Sequence, residues 1–321
     1  ARNYAQVGHV GTDGGGSVVE ADASGVTEIS TGNDIRFTGG SGFNNYAQLG
    51  HGGAVAAGGH DGMITITTAN DIVFTGGTGF GAYTQLGQGG WSSSGNHSGT
   101  TTIVEANDIR FVGGGMGTSQ SAYAQLGQGG RGASGDHSGT ITITSANQIS
   151  FLGGAAQESY AQLGQGGVQS LGDHTGTITI TESAGIDMIG SSTADTYALI
   201  GSGGSSNGND LSGAGTIDVT STGDITLTSG PLDRAFAQIG NVVASGNGDN
   251  DGSITVEGNN ITLTAGTGGY AQIGNGGVGS RNSSNSGNIT VTANGNLVLT
   301  GGGPSFQNAI IGNGDDGFGA V

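Results

Sequence analysis

Four histidines recur at one position in four glycine-rich segments, and this spacing could support metal chemistry. They occupy the seventh place of four nine-residue segments, as in "GDHSG" and "GDHTG", and they are His60, His97, His137 and His174. Imidazoles that repeat beside carboxylates such as Asp136 and Asp173 can bind transition metals. A hydrogen bond that tightens each loop would use the same residues. The sequence favours this second interpretation, because the later repeats lack the histidine.

Two short acidic turns carry the oxygen ligands that calcium prefers. They read "GDNDG" at residues 248–252 and "GDDG" at residues 314–317. Neither turn has the spacing of an EF-hand or of the glycine-rich nonapeptide of calcium-binding β-rolls. We therefore predict no obligatory cofactor and name calcium, bound at Asp249 and Asp251, as the candidate ligand.

The arginines are the remaining residues that could act in catalysis. Cleavage of acidic polysaccharides requires basic residues and carboxylates gathered in one groove. Arg36 and Arg110 share a repeat position, but Val73 holds that position in the repeat between them, and the chain contains no lysine. We predict that the protein is not an enzyme.

A repeated phrase, "AYAQLGQGG" in one of its copies, places an aromatic residue and a glutamine at fixed positions. Stacked rings and amides could form a glycan-binding face, or they could form ladders that hold neighbouring repeats together. We favour the ladder, because Leu199 and Ile310 interrupt the glutamine position. The predicted ladder residues are Tyr4, Tyr46, Tyr83, Tyr123, Tyr160, Tyr197, Phe236 and Tyr270, together with Gln48, Gln85, Gln125 and Gln162.

Composition limits the elements that can position these residues. The chain has 321 residues, of which 73 are glycine and none is cysteine, and its formal net charge is −18. Without periodicity, such a composition is typical of a disordered chain. The negative charge predicts no nucleic-acid partner, because nucleic acids are bound by basic surfaces. No apolar run approaches the ~18–20 residues of a membrane-spanning helix, so we expect no membrane insertion.

Periodicity overrides the expectation of disorder. The phrase returns every 34 to 42 residues, and each repeat contains three stretches of alternating apolar and polar residues, such as "MITITTA", "DIVFTGG" and "YTQLGQGG". Alternation bounded by glycine predicts strands, and strands this short must stack on the next repeat to bury a face. We predict an all-β single domain over residues 1–321, a parallel β-solenoid of about eight triangular coils with three short strands per coil. A solenoid with two coils per repeat is less favoured, because it needs six strands per repeat.

Two segments resemble a known family. "GTITITSANQISFLGG" from Gly139 and "GNITVTANGNLVLTGG" from Gly287 are similar to the repeats of filamentous-haemagglutinin-type exoproteins. That family comprises large β-helical adhesins of bacterial surfaces, which are exported by two-partner secretion or as autotransporters. The resemblance implies an extracellular or cell-surface location. It also implies a structural role as an adhesin shaft or as a fibre subunit of a surface or matrix.

The partners expected of such a protein lie at its two ends. Both ends of the sequence fall at a copy of the tyrosine phrase, and an open solenoid edge recruits other strands. We therefore expect end-to-end contact with further coils of the same chain or with identical subunits in a head-to-tail filament. The alternatives are a carbohydrate-binding module with glycan partners and, less favoured, a polysaccharide lyase or an ice-binding solenoid that uses outward threonines such as Thr142 and Thr144.

Overall fold

The computed structural model describes residues 3–9, 23–116, 120–205, 212–244, 249–277, 284–303 and 307–314, and in these residues the regular structure consists of strands. The first half of the chain contains β1 Ala5–Val7, β2 Val26–Ser30, β3 Ile35–Thr38, β4 Ala47–Leu49, β5 His60–Thr75, β6 Thr84–Leu86, β7 His97–Val112, β8 Ala124–Leu126, β9 Thr140–Leu152 and β10 Ala161–Leu163. The second half contains β11 His174–Ile180, β12 Ser183–Ile189, β13 Tyr197–Ile200, β14 Gly203–Ser205, β15 Gly213–Thr220, β16 Ile225–Thr228, β17 Phe236–Ile239, β18 Val242–Ala244, β19 Asn250–Asp251, β20 Ile254–Gly258, β21 Ile261–Thr264, β22 Ala271–Ile273, β23 Ile289–Ala293, β24 Leu297–Thr300 and β25 Ala309–Ile311.

The strands form two large parallel sheets in which each coil pairs with the next coil. The ladder sheet has nine strands, in the order β1, β4, β6, β8, β10, β13, β17, β22 and β25, and these frame about eight turns. The wall sheet has fourteen strands and contains the first and second strands of every coil. Equivalent residues pair, as in Gln85 with Gln125 and Ile141 with Ile178. The predicted parallel β-solenoid is therefore confirmed.

The corner between the first and second strands differs along the chain. In three successive coils the two strands are continuous, as β5, β7 and β9, which have 16, 16 and 13 residues. Pairing continues through this corner at Ala69, Ala106 and Ala146. In the later coils the first and second strands are separate, as predicted, and β14 pairs with β18 as an additional two-stranded sheet.

A mainly aliphatic core, which also contains the stacked rings of Phe74, Phe111 and Phe151, lies between the wall sheet and the ladder sheet. Its columns are the ones that the alternation predicts, and Ile141, Ile143, Ile149 and Leu126 are all fully buried in it. The intervening threonines of the wall sheet point away from this core. Coils stacked at about 4.8 Å place like residues over like residues, so the core continues from coil to coil.

A second buried layer covers the other face of the ladder sheet. The described segments after the Gly-Gly pairs in the N-terminal part of the chain fold back over this face, and Ala54 and Val168 in them are buried against the tyrosines. The ladder sheet is therefore buried on both faces, as parallel sheets usually are. This covering layer goes beyond the simple triangular coil that the sequence predicts.

Candidate functional site

The predicted aromatic ladder is a continuous stack of parallel rings inside the second buried layer. Ring centroids are 4.8 Å apart from Tyr46 through Phe236, and planes tilt by at most 7° over this stretch. Tyr83, Tyr123, Tyr160 and Tyr197 are fully buried, and their burial raises the phenol pKa well above its usual value. The hydroxyl groups of this stack are therefore neutral and act as hydrogen-bonding groups.

The glutamines beside the rings bind the backbone of the following coil. Gln125 Nε2 donates to the carbonyl oxygens of Gly164 at 3.0 Å and Gly166 at 2.9 Å. Equivalent pairs of bonds are made by Gln6, Gln48, Gln85, Gln162, Gln238 and Gln272. Each glutamine thus supplies donors to two glycine carbonyls one coil further on, and the ladder has a direction.

The tyrosine hydroxyls complete this arrangement by donating backwards. Tyr160 Oη lies 3.4 Å from Gln125 Oε1 of the preceding coil, and Tyr270 Oη lies 2.9 Å from Gln238 Oε1. Tyr46, Tyr83 and Tyr197 make the same bond to Gln6, Gln48 and Gln162. Tyr123 and Gln85 are the exception. Tyr123 Oη and Gln85 Oε1 are both buried, and neither atom has a hydrogen-bond partner.

The second glycine of each Gly-Gly pair makes room for the tyrosine of its own coil. Gly167 has a φ of 145°, and a Cβ there would collide with the hydroxyl of Tyr160. The same clash would occur at Gly53, Gly90, Gly130 and Gly277. A short phrase of tyrosine, glutamine and paired glycines is therefore one packing unit, which most of the described coils use to receive the next.

At one junction between coils both members of the tyrosine–glutamine pair are replaced. Leu199 holds the glutamine position, and Phe236 holds the tyrosine position of the next coil. Both side chains are buried, at 0% and 1% exposure, in the same cluster as the tyrosines. An aliphatic side chain here faces a ring without a hydroxyl, so no polar group is left unpaired.

The buried ladder corrects one alternative from the sequence. A glycan-binding face would need the tyrosines and glutamines to reach solvent, yet Gln85, Gln125 and Gln162 are 0% exposed. Only the ring at the N-terminal edge of the described stack, Tyr4, is substantially exposed, at 40%. The ladder is an interior structure in the described coils.

The four predicted histidines form a column in the same layer. Their ring centroids are 4.9–5.1 Å apart. His97 Nε2 lies 2.5 Å from the hydroxyl of Ser93, and His174 Nε2 lies 2.5 Å from that of Ser170. Burial lowers the pKa of His97 and of His174 to about 4, and that of His137 lies well below its usual value. These contacts match the loop-tightening interpretation.

A second side-chain ladder runs between the phrase and the histidine column. Gln128 Oε1 accepts the backbone N–H of Gln88 at 2.6 Å, and Gln165 Oε1 accepts that of Gln128 at 2.8 Å. In the later coils asparagine performs this role, as Asn275 Oδ1 does for the N–H of Asn241 at 3.0 Å. The asparagines were missed in the sequence because the residue type changes from glutamine to asparagine along the column.

Asp249 and Asp251 lie in the later equivalent of the histidine loop. Asn250 occupies the histidine column, is fully buried and donates from Nδ2 to Asn285 Oδ1 at 2.8 Å. Both aspartates are exposed, and Asp249 Oδ1 accepts the N–H of Ser284 at 3.0 Å. Calcium at Asp249 and Asp251 stays a prediction, and the aspartates of the second turn, at 315 and 316, lie outside the described residues. Within the described ranges no three His, Asp or Glu side chains are grouped closely enough to hold a metal ion.

The candidate residues of the less favoured functions lie on the outside of the wall sheet. Arg36 and Arg110 flank Val73 in one column, and Arg36 pairs with Asp34 at 2.6 Å. Thr144 is exposed and Thr142 half-exposed. Glu28 and Asp218 interrupt the corresponding threonine columns, as the sequence suggests.

A shallow groove of about 480 Å³ follows the corner of the wall sheet across several coils. Its floor contains Ala69, Ala106 and Ala146, and one side carries asparagines that bond to the preceding coil. Asn107 Nδ2 donates to Asp71 Oδ1 at 3.0 Å, and Asn147 Nδ2 donates to Asp108 Oδ1 at 3.0 Å. The groove is polar, acidic and aligned with the solenoid axis.

Comparisons of the chain with protein-family models, with curated proteins and with solved structures give no match. In the part of the chain that the structure describes, no helix has the length and apolar character to cross a membrane.

Proposed function

We propose that the protein is an extracellular structural protein, a β-helical shaft or fibre subunit of a bacterial surface or matrix. The observation that carries this proposal is the continuity of its ladders. Apolar columns, stacked rings and hydrogen bonds from side-chain amides link neighbouring coils, so closely similar interfaces recur along the described solenoid. Repetition of one interface is how solenoid proteins build extended bodies.

The surface and the repeats support the location. A formal charge of −18 keeps an extended repeat protein soluble through self-repulsion. The repeat segments resemble those of filamentous-haemagglutinin-type exoproteins, which are surface adhesins. Immunogold labelling of intact cells of the source organism, viewed by electron microscopy, tests the proposal. We expect label on rods or fibres outside the cell, and label confined to the interior of sectioned cells would contradict it.

The two edges of the solenoid support assembly end to end. In the described chain the ladder sheet begins with β1 and ends with β25, and each of these strands pairs on one side within the sheet. Core-type side chains are partly open there, because Ile35 and Phe37 are only half-buried at one edge and Leu297 is 49% exposed at the other. Such edges bind further strands, supplied by additional coils of the same chain or by identical subunits.

The polar groove favours a second candidate function, binding of a linear neutral glycan along the axis. Its repeated threonine, serine and asparagine side chains could contact successive sugar hydroxyls. Calorimetric titration with neutral oligosaccharides tests this function. We expect binding that is lost in Ser145→Trp, which fills the groove, and kept in Thr142→Trp, which lies outside it. Equal behaviour of the two variants would contradict groove binding.

A further inference from the structure

Three positions of the repeat change together. Every tyrosine from Tyr46 to Tyr270 follows a coil that has glutamine in the glutamine position, and each is followed by glycine seven residues later. The exception changes all three: Leu199 precedes Phe236, and residue 243, seven positions after Phe236, is valine. Val243 pairs with Gly204, so it holds the position that is glycine in the neighbouring coil.

The geometry explains why these changes go together. In five of the six coils from Tyr46 to Tyr270 that carry tyrosine, the hydroxyl donates to the amide oxygen of the preceding coil, and Tyr123 is the exception. The hydroxyl also occupies the space that the second glycine leaves. A tyrosine above an aliphatic side chain would bury an unpaired hydroxyl, which is costly. The reverse mismatch is tolerated once: Asn308 follows Gln272, and Gln272 Oε1 is buried without a partner.

The two edges of this solenoid present opposite versions of the pattern. At the N-terminal edge Tyr4 holds the tyrosine position and residue 11 is glycine, so this edge fits a coil that ends with glutamine. At the C-terminal edge Ile310, half-buried in β25, holds the glutamine position. A second copy stacked on this edge would place the hydroxyl of Tyr4 over Ile310.

The remaining columns of the two edges are compatible. The same stacking would place the side chain of Val7 over Ile311 and that of Phe37 over Leu299, and both are ordinary apolar contacts in this solenoid. The mismatch between Tyr4 and Ile310 is therefore confined to the ladder. It weakens the binding of a second copy relative to other coils, but it does not prevent contact between the two edges.

We propose that the C-terminal edge, formed by β23, β24 and β25, docks a solenoid coil with phenylalanine or an aliphatic residue in its tyrosine position, in preference to a second copy of this chain. We choose this partner because the interface between coils continues at the edge. Inside the chain, the coil with Leu199 in the glutamine position is followed by a coil with Phe236 in the tyrosine position. This inference rests on the proposed end-to-end assembly and selects among its partners. Further coils of different sequence are favoured over a head-to-tail filament of identical subunits.

Sedimentation velocity of the full chain over a concentration series tests the preference through a cycle of variants. Ile310→Gln supplies the acceptor for Tyr4 and donors for the backbone of the next coil. We expect it to lower the dissociation constant of self-association by about tenfold, which corresponds to about 1.4 kcal/mol. Tyr4→Phe, which removes the unpaired hydroxyl, should also strengthen self-association. The double variant should associate less tightly than Ile310→Gln alone, because its new glutamine oxygen has no donor.

The outcomes separate this inference from the proposed assembly. If the unchanged protein associates as tightly as Ile310→Gln, or if Tyr4→Phe leaves the gain of Ile310→Gln intact, the pairing rule is wrong while end-to-end assembly stands. If neither protein associates at any concentration, both docking and the rule at this edge are wrong. Val298→Gln is the matched control, because Val298 lies on β24 of the same edge outside the ladder, and it should leave association unchanged. Thermal melts confirm that each variant is folded.

Discussion

The strands of the ladder sheet have two buried faces of different chemistry. On one face Ala124 and Leu126 meet the aliphatic core, and on the other Tyr123 and Gln125 meet the covering layer. Apolar contact is non-directional, so the first face determines that coils stack. Hydrogen bonds require a matched donor and acceptor, so the second face determines which coil stacks and in which direction.

The difference is visible in what each layer tolerates. The aliphatic columns exchange isoleucine, valine and leucine freely, as in Ile180, Val219 and Val256 along one column. The polar layer changes as a matched set at Leu199 and Phe236, and the mismatch at the last described coil leaves Gln272 Oε1 buried without a partner. Core volume is conserved loosely, whereas an unpaired buried polar group has a defined cost.

The largest effect is expected from a charge in the aliphatic core. Ile143→Asp should abolish folding, because an unpaired buried carboxylate costs several kcal/mol and interrupts a column shared by neighbouring coils. Leu126→Asp should behave alike. Thr142→Ser, on the outward side of the same strand, should leave the melting temperature nearly unchanged. Similar thermal melts for Ile143→Asp and Thr142→Ser would show that the two sides are assigned wrongly.

Acidification should weaken the covering layer before the aliphatic core. The pKa values of His97 and His174 are about 4 in the folded chain and about 6.5 when exposed, so unfolding takes up protons between these values. The contribution of these histidines to the free energy of unfolding is therefore at its maximum above pH 6.5, and it decreases as the pH falls towards 4. The loss should be of the order of 3 kcal/mol for each imidazole. Urea unfolding at several pH values measures it.

The later coils supply the control for this pH dependence. Asn250 holds the histidine column there and does not titrate. His97→Asn should therefore reduce the slope of stability between pH 6.5 and 4. An unchanged slope in His97→Asn would contradict the assignment.

A smaller effect should follow from changing the matched set inside the chain. Phe236→Tyr places a hydroxyl over Leu199 and should destabilise by about 1–3 kcal/mol. Adding Leu199→Gln should recover part of this loss, since it restores the acceptor. Chemical unfolding of both single variants and the double variant gives the coupling energy. Additive losses would mean that the tyrosine and glutamine positions are independent.

The smallest effect is expected from removal of calcium. The hydrophobic columns run through every described coil, whereas the Asp249–Asp251 turn is local and Asp249 already bonds to the next coil. EDTA should therefore leave the circular dichroism spectrum of the folded protein unchanged. A cooperative loss of β-structure in EDTA would instead make this turn a structural calcium site.

The sequence predicts the repeated strands well because alternate residues of each strand face the core, so the period-two pattern recurs in every coil. Ile141 and Ile143 lie inside and Thr144 lies outside, as the alternation indicates. The covering layer could not be predicted in this way. Its segments lack alternation, and Ala54 and Val168 share a buried place without sharing size.

One backbone feature has no sequence signal at all. The residue two positions before the ladder aromatic has a left-handed φ of 51–65° in successive coils, whether it is Asn44, Gly81, Ser121, Glu158, Asp195 or Arg234. Asparagine, aspartate and glycine accept this conformation readily, but arginine and glutamate do not favour it. Stacking on neighbouring coils imposes it. Side chains displayed there form ion pairs, as Glu158 does with Arg131 at 2.8 Å.

The asparagines at the corner of the wall sheet connect this fold to slow chemical ageing. Asn70, Asn107 and Asn147 each place an amide against an aspartate of the preceding coil. Deamidation would turn each amide into a carboxylate, which removes a donor and sets two like charges one coil apart. Each event would add one negative charge and loosen one corner. The age of the protein would therefore be measurable as a series of charge isoforms whose modified sites follow the solenoid axis.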